Sequence, residues 1–212
     1  MAELISEKDK KLFQITTDRM FTALESFFVW REMSKMININ EVGKDKADRN
    51  VEILKKYWDF FDAVKNSTYK SFVIDLSIFF DPEKYEETFS LKKLINIVKK
   101  KIIEAEYNKL IRDINAIKKK HGVTISFILK LRNTEVSHQE IERQRRLIVF
   151  KEIEELFIGV QEILNILNKY YDGSFMIWDH IERNVMGSLS WVIDNLERGE
   201  KVRLDEIKKT YV

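Results

Sequence analysis

The chain has 212 residues, with 37 Lys and Arg against 35 Asp and Glu, so its formal net charge is only +2. That balance excludes a uniformly basic nucleic-acid coat protein, and any RNA contact must come from local patches. With 44% hydrophobic residues the chain is no disordered tail. The absence of cysteine removes disulfides, zinc–thiolate sites and cysteine nucleophiles, and fits an intracellular home.

No apolar run approaches the ~18 residues a membrane span needs. The first residues, MAELISEKDKKLF, are charged and carry no signal-peptide core. These features point to a soluble, cytoplasmic protein with no membrane partner. The length fits one domain, with two small ones as the alternative; the expectation is a single all-helical domain over residues 1–212. One proline and six glycines leave few obligatory turns, which favours long helices on short connections.

Apolar residues recur at helical spacing almost throughout. Residues 6–36 carry Leu12, Ile15, Met20, Leu24, Phe27 and Phe28 at steps near three and four. The loop MININEVGKDK follows, with Gly43 as breaker. A second helix is expected over residues 45–64, interrupted at Asn66 and Ser67, with Ser67 capping the helix that bears Phe72, Val73, Leu76 and Phe79. Asp81 and Pro82 read as a cap and first-turn proline of a short helix. Ser90 caps a long helix to about Lys120, with Leu94, Val98, Ile102, Ala105, Leu110, Ile114 and Ile117 on its buried stripe.

Lys118, Lys119, Lys120 and His121 suit the negative end of that helix dipole, and Gly122 is expected to take the left-handed capping conformation. A short helix over 124–131 and a long one over 138–169 come next, broken at Asp172 and Gly173. A last helix spans 175–195, after which RGEK turns into a short tail. TISFIL has strand-like composition but no partner strand. The fold class expected is all-α, an antiparallel bundle of long helices.

The candidate site is the string LRNTEVSHQE, residues 131–140, which holds Arg132, Asn133 and His138. Histidine occurs only three times in the chain, and this one follows an arginine and an amide. The set supports metal-free attack on an RNA backbone. An imidazole serves as base near neutral pH, a guanidinium holds phosphate, and an amide orients one of them. His138 lies six positions after Arg132, about 240° around a helix, so one unbroken helix cannot present both on one face. Ser137 and Glu140 match a capping box that would start a new helix at Ser137 and put His138 in its first turn, where the dipole favours neutral imidazole. The spacing by itself is a weak signal; Asn133 and the position between two long helices sharpen it.

These residues resemble a known family. RNTEVSH is similar to the R-x(4–6)-H signature of the HEPN superfamily, with Asn133 at its frequent polar position. SFVIDLSIFFDPEKYEETFSLKKLI resembles the abortive-infection U-type HEPN proteins of bacteria, with an apolar helix ending near an Asp, a short acidic insert and a Ser-Leu helix start at Ser90 and Leu91. The resemblance covers about residues 50–170. Ser137 departs from the small alanine of many relatives, and Glu135 inside the motif would repel phosphate unless it faces away or pairs with Arg132 or Lys130.

The resemblance implies an all-α, usually homodimeric HEPN-like domain whose two motifs line one cleft. It also implies a metal-independent endoribonuclease of a toxin–antitoxin or phage-defence system. His138 would activate the ribose 2′-OH or protonate the 5′-oxygen, Arg132 would hold the scissile phosphate, and Asn133 would orient one of them. The products would end in a 2′,3′-cyclic phosphate. A nucleotidyltransferase-type antitoxin is the implied partner. The alternative is a non-catalytic helical module of the same fold that binds RNA or protein.

Lys130, Arg143, Arg145 and Arg146 would extend a phosphate track, although a solvated helix face is the plainer reading for any one of them. Asp75 and Asp81 read as a buried hydrogen-bonded carboxylate and a cap. Tyr170, Tyr171, Phe175, Trp178 and Trp191 read as core or dimer interface before base-stacking platforms. His121 reads as a helix-end residue, and His180 has no ligand set around it. No cofactor and no metal are expected: H-x-x-x-H, cysteine ligands, a phosphate-binding glycine loop and a nucleophile elbow are all missing. The Gly-Ser pairs at 173–174 and 187–188 lack the D-x-D of a nucleotidyltransferase.

Overall fold

A computed structural model describes residues 6–81, 89–133 and 150–210. Among the described residues there are nine α-helices and no strand, so the chain is all-α. They are α1 (Glu7–Lys35), α2 (Ile39–Val42), α3 (Lys44–Lys56), α4 (Trp58–Phe80), α5 (Leu91–Lys99), α6 (Glu104–Lys120), α7 (Gly122–Leu131), α8 (Phe150–Tyr171) and α9 (Asp179–Thr210). The chain gathers into two compact units. One comprises Met1–Leu24 and Lys70–Trp178, the other Glu25–Tyr69 and Asp179–Val212.

In the first unit α8 packs against α5, α6 and α7. Its buried stripe is Ile153, Leu156, Phe157, Val160, Ile163, Leu164 and Leu167, a helical period of three and four. The three helices it packs against bury Leu91, Leu94, Ile97 and Val98 on α5, Leu110 and Ile114 on α6, and Ile125, Ile128 and Leu131 on α7. Each such side chain contributes about 1.5–3 kcal/mol on leaving water. Phe13 also belongs here, stacked on Tyr171 with ring centroids 4.1 Å apart, whereas Ile15, expected on the same stripe, is 40% exposed.

The helix expected to run from Ser90 to Lys120 is two. Ser90 does cap α5, its Oγ accepting from Lys93 N–H. The chain then leaves the helix, with Ile103 in an extended conformation before α6. Periodicity explains the break. Leu94 and Leu110 are sixteen residues apart, about 160° out of phase on a continuous helix, yet both are fully buried. The interruption resets the phase and leaves Ala105 exposed. Lys100 and Lys101 in the break are tied down by Asp9, at 2.7 Å, and by the Tyr171 carbonyl.

Gly122 does not take a left-handed conformation. His121 caps α6, and Gly122 opens α7 with negative φ. Positive φ occurs at Gly43 (82°) and Gly173 (78°), the two breakers read from the sequence. Gly173 donates its N–H to Asn168 O at 2.9 Å, closing the end of α8.

The second unit has Met33, Ile53, Leu54, Phe61 and Ile193 as its core, with Val29, Met36, Tyr57, Val64, Leu189 and Leu196 packed around them. The break expected at Asn66 and Ser67 lies instead at Tyr57, and α4 is continuous from Trp58. Polar side chains around the expected break bond within the helix: Asn66 Nδ2 donates to Asp62 at 2.8 Å and Thr68 Oγ1 to Val64 O at 2.9 Å. The RGEK turn is also absent. Helix α9 runs on through it, with Lys201–Glu197 and Arg203–Glu200 pairs spanning the turns at 3.0 and 2.9 Å. Arg31 is fully buried between the carboxylates of Glu32 and Glu182, with its guanidinium 4.6 Å from the Phe28 ring centre.

Candidate functional site

Helix α7 sets the position of the motif's first half. Ile128 and Leu131 are buried in the core. Arg132 follows with helical angles (φ −54°, ψ −45°), its N–H donating to Ile128 O and Leu129 O.

The Arg132 side chain is nearly buried, and it is gripped on two edges. Nη1 donates to Asp81 Oδ2 at 2.8 Å. Nε and Nη2 both donate to Asn133 Oδ1, at 3.2 and 3.1 Å. With its oxygen turned to the guanidinium, Asn133 points its amino group, two further donors, away from Arg132. Asp81 is held at the end of α4, where Phe79 and Phe80 are buried and its own N–H donates to Ser77 O at 2.9 Å. A charge-assisted pair of this kind is short and directional, and side-chain exposures of 9% and 14% put both charges where losing one partner strands the other.

The sequence reading placed Asp81 as a helix cap and missed this pairing, 51 residues apart in the chain. The one signal available was the Asp that ends the apolar helix in the family-like stretch. Asp75 is buried and accepts from Arg19 Nη1 at 3.2 Å, as a hydrogen-bonded carboxylate should. Burial pushes its carboxyl above the usual value, with Arg19 opposing. Arg19 also lies 5.1 Å over the Phe89 ring.

Of the other residues singled out, Lys130 is exposed on α7. His138, Arg143, Arg145 and Arg146 lie outside the described residues, as do Glu135 and the Ser137–Glu140 capping box. Trp178 is buried, but Phe175 and Trp191 are 72% and 70% exposed, so neither is core. His121 is more than a helix end. It is buried where α6 meets α7, Nε2 has no hydrogen-bond partner, and the ring packs on Gly159 of α8. Burial pushes its pKa below the usual value, Lys120 adds to that, and Glu155 and Glu162 oppose it. Among the described residues no three His, Cys, Asp or Glu gather as a metal site, and no helix is long and apolar enough to cross a membrane.

An all-α chain with a fixed arginine and following amide at a helix end matches the HEPN_AbiU2 family, described as AbiU2, over residues 16–195. The chain belongs to the AbiU2 family of HEPN proteins. The family span includes most of α1 and the first half of α9, well beyond the residues 50–170 in which the likeness is visible by eye. The chain matches no curated protein and no solved structure.

Proposed function

We propose that this AbiU2-family protein is a metal-independent endoribonuclease of a bacterial toxin–antitoxin or phage-defence system, acting in the cytoplasm. In this reading Arg132 binds the scissile phosphate and Asn133 keeps it oriented. His138 takes the proton of the ribose 2′-OH as the 2′-oxygen attacks phosphorus. The P–O5′ bond breaks, the 5′-oxygen takes up a proton, and a 2′,3′-cyclic phosphate remains. The same imidazole, or that of a second copy in a homodimer, would supply the leaving-group proton. Lys130, Arg143, Arg145 and Arg146 would guide the RNA backbone. A nucleotidyltransferase-type antitoxin would restrain the activity, and the whole chain would act as one functional domain.

The observation that carries the reading is the Arg132 guanidinium, held by Asp81 and Asn133 immediately before the segment bearing His138. A guanidinium fixed in advance is suited to a phosphate whose charge grows during reaction. The test is cleavage of total RNA by the purified protein in EDTA, beside His138→Ala and Arg132→Ala. Cleavage that disappears in both variants supports the reading. A folded protein that binds RNA and cleaves none would instead be the non-catalytic module of the same fold.

A further inference from the structure

The proposed reaction gives Arg132 a phosphate to hold and Asn133 the task of orienting it, but gives the Asp81 carboxylate no part in the chemistry. We propose that Asp81 is a positioning residue for that site: it acts on RNA only through Arg132, by fixing the guanidinium in one plane and one direction. The inference rests on the ribonuclease reading for its substrate class, though not for its geometry.

An arginine at a helix end carries a long, mobile stem, and a planar fork with five N–H donors. Left alone it must be ordered anew when phosphate arrives, and that entropic cost weakens both binding and reaction. Here two oxygens remove the freedom. Asp81 Oδ2 takes the Nη1 edge at 2.8 Å, and Asn133 Oδ1 takes Nε and Nη2 on the other side at 3.2 and 3.1 Å. Two grips on different edges of a rigid plane fix it in rotation and tilt, which one contact would not. The Asp81 backbone is anchored, because it follows Phe79 and Phe80 at 1% and 6% exposure and donates its N–H back to Ser77. The buried end of α4 is thereby coupled to the motif that ends α7.

The carboxylate's role differs from that of the amide. Asn133 is the next residue in the chain and moves with Arg132. Asp81 follows the end of another helix, so its grip ties the guanidinium to a distant part of the unit. Its charge also keeps the nearly buried arginine compensated before RNA binds.

The experiment uses the full chain and two probes: a mixed-sequence oligoribonucleotide for cleavage, and the same oligomer with 2′-O-methyl riboses, which lacks the nucleophile, for equilibrium binding. Asp81→Asn, Asp81→Glu, Arg132→Ala and the double variant Asp81→Asn/Arg132→Ala are compared, with thermal melting as the check on folding. Asp81→Asn should lose between about 10-fold and about 100-fold in cleavage, the range typical for losing a group that orients a functional side chain. Its affinity for the 2′-O-methyl probe should fall as well. Asp81→Glu should recover most of both, and the double variant should be no worse than Arg132→Ala.

Equal further loss in the Arg132→Ala background would overturn the proposal, since Asp81 would then act independently of the arginine. Losses that follow the melting temperature in every variant would overturn it too. If the wild type binds the probe and cleaves nothing, the ribonuclease reading fails while the binding cycle still decides the role of Asp81. If it neither binds nor cleaves, both fall. Should Asp81→Asn not fold, Asp81→Ser with and without Arg132→Ala completes the same cycle.

Discussion

Gly159→Ala is a substitution whose sign is set by one buried ring. In an exposed helix interior Ala is favoured over Gly by about 0.5–1 kcal/mol. On α8, however, a β-carbon at Gly159 would lie 2.9 Å from Cδ2 and 3.0 Å from Nε2 of His121, and 3.2 Å from Cγ2 of Ile117. Comfortable contact needs about 3.5–4.0 Å, so the ring must shift by roughly half an ångström. It has little room, because His121 is buried at the α6–α7 junction. Overpacking of this kind costs about 1–3 kcal/mol, which exceeds the gain in helix propensity.

The net expectation is a loss of roughly 1 kcal/mol, or about 2–4 °C in Tm for a chain of this size. The control is His121→Ala. With the ring gone, the same Gly159→Ala change should stabilise relative to its own background. Thermal melts of the four proteins, followed by circular dichroism, read both signs. A higher Tm for Gly159→Ala with His121 present would refute the reasoning. The same contact has a pH signature. Burial favours neutral His121 in the folded state, while the unfolded imidazole titrates near 6.5. Stability from this site is therefore complete above that value and lost as pH falls below it, toward the depressed folded pKa. Between about pH 7 and about pH 5 the wild type should lose more stability than His121→Ala.

Three further outcomes follow from other parts of the fold. Hydrogen bonds from Arg203, then Lys56 and Tyr57, hold the Glu200 carboxyl down at about 2, against an ordinary 4.5. Its contribution is present above 4.5 and lost as pH falls toward 2, so Glu200→Gln should flatten the acid limb of a denaturation titration in that window. Gly199 has open space around its α-carbon and no positive φ within the continuous α9. Gly199→Ala should therefore raise stability by about 0.5–1 kcal/mol in urea unfolding, whereas a loss would mean the helix turns at RGEK after all. Gly173 sits at φ 78° at the end of α8, so Gly173→Ala should cost about 1–2 kcal/mol in the same assay; no change would argue against the left-handed turn.

Much of the architecture was legible in the sequence because helices announce themselves through local rules. The three-and-four stripe of Ile153 to Leu167, the Ser90 cap and the Gly43 and Gly173 breaks each depend on a few neighbouring residues, and each is where the pattern puts it. The HEPN likeness was equally local, resting on Arg132, Asn133, His138 and the stretch ending at Ser90–Leu91. Errors came where a breaker's intrinsic preference was taken alone, without the bonds its own helix makes around it. Asn66, Ser67 and Gly122 are breakers by propensity, but intrahelical hydrogen bonds keep α4 intact and negative φ at Gly122 opens α7. Gly199 was read the same way, and the Arg203 and Lys201 pairs carry α9 across it.

The sequence by itself determined the helical class, most of the stripes that face the core, and the likeness to the HEPN family, because these follow from period, composition and spacing along one chain. The tertiary structure decided that the Arg132 charge meets the carboxylate of Asp81, that His121 lies against the bare backbone of Gly159, and that Leu94 and Leu110 share a core only through a break between them. Those are contacts between segments distant in the chain. Electrostatics and close packing act across space, so no pattern within either segment encodes its partner.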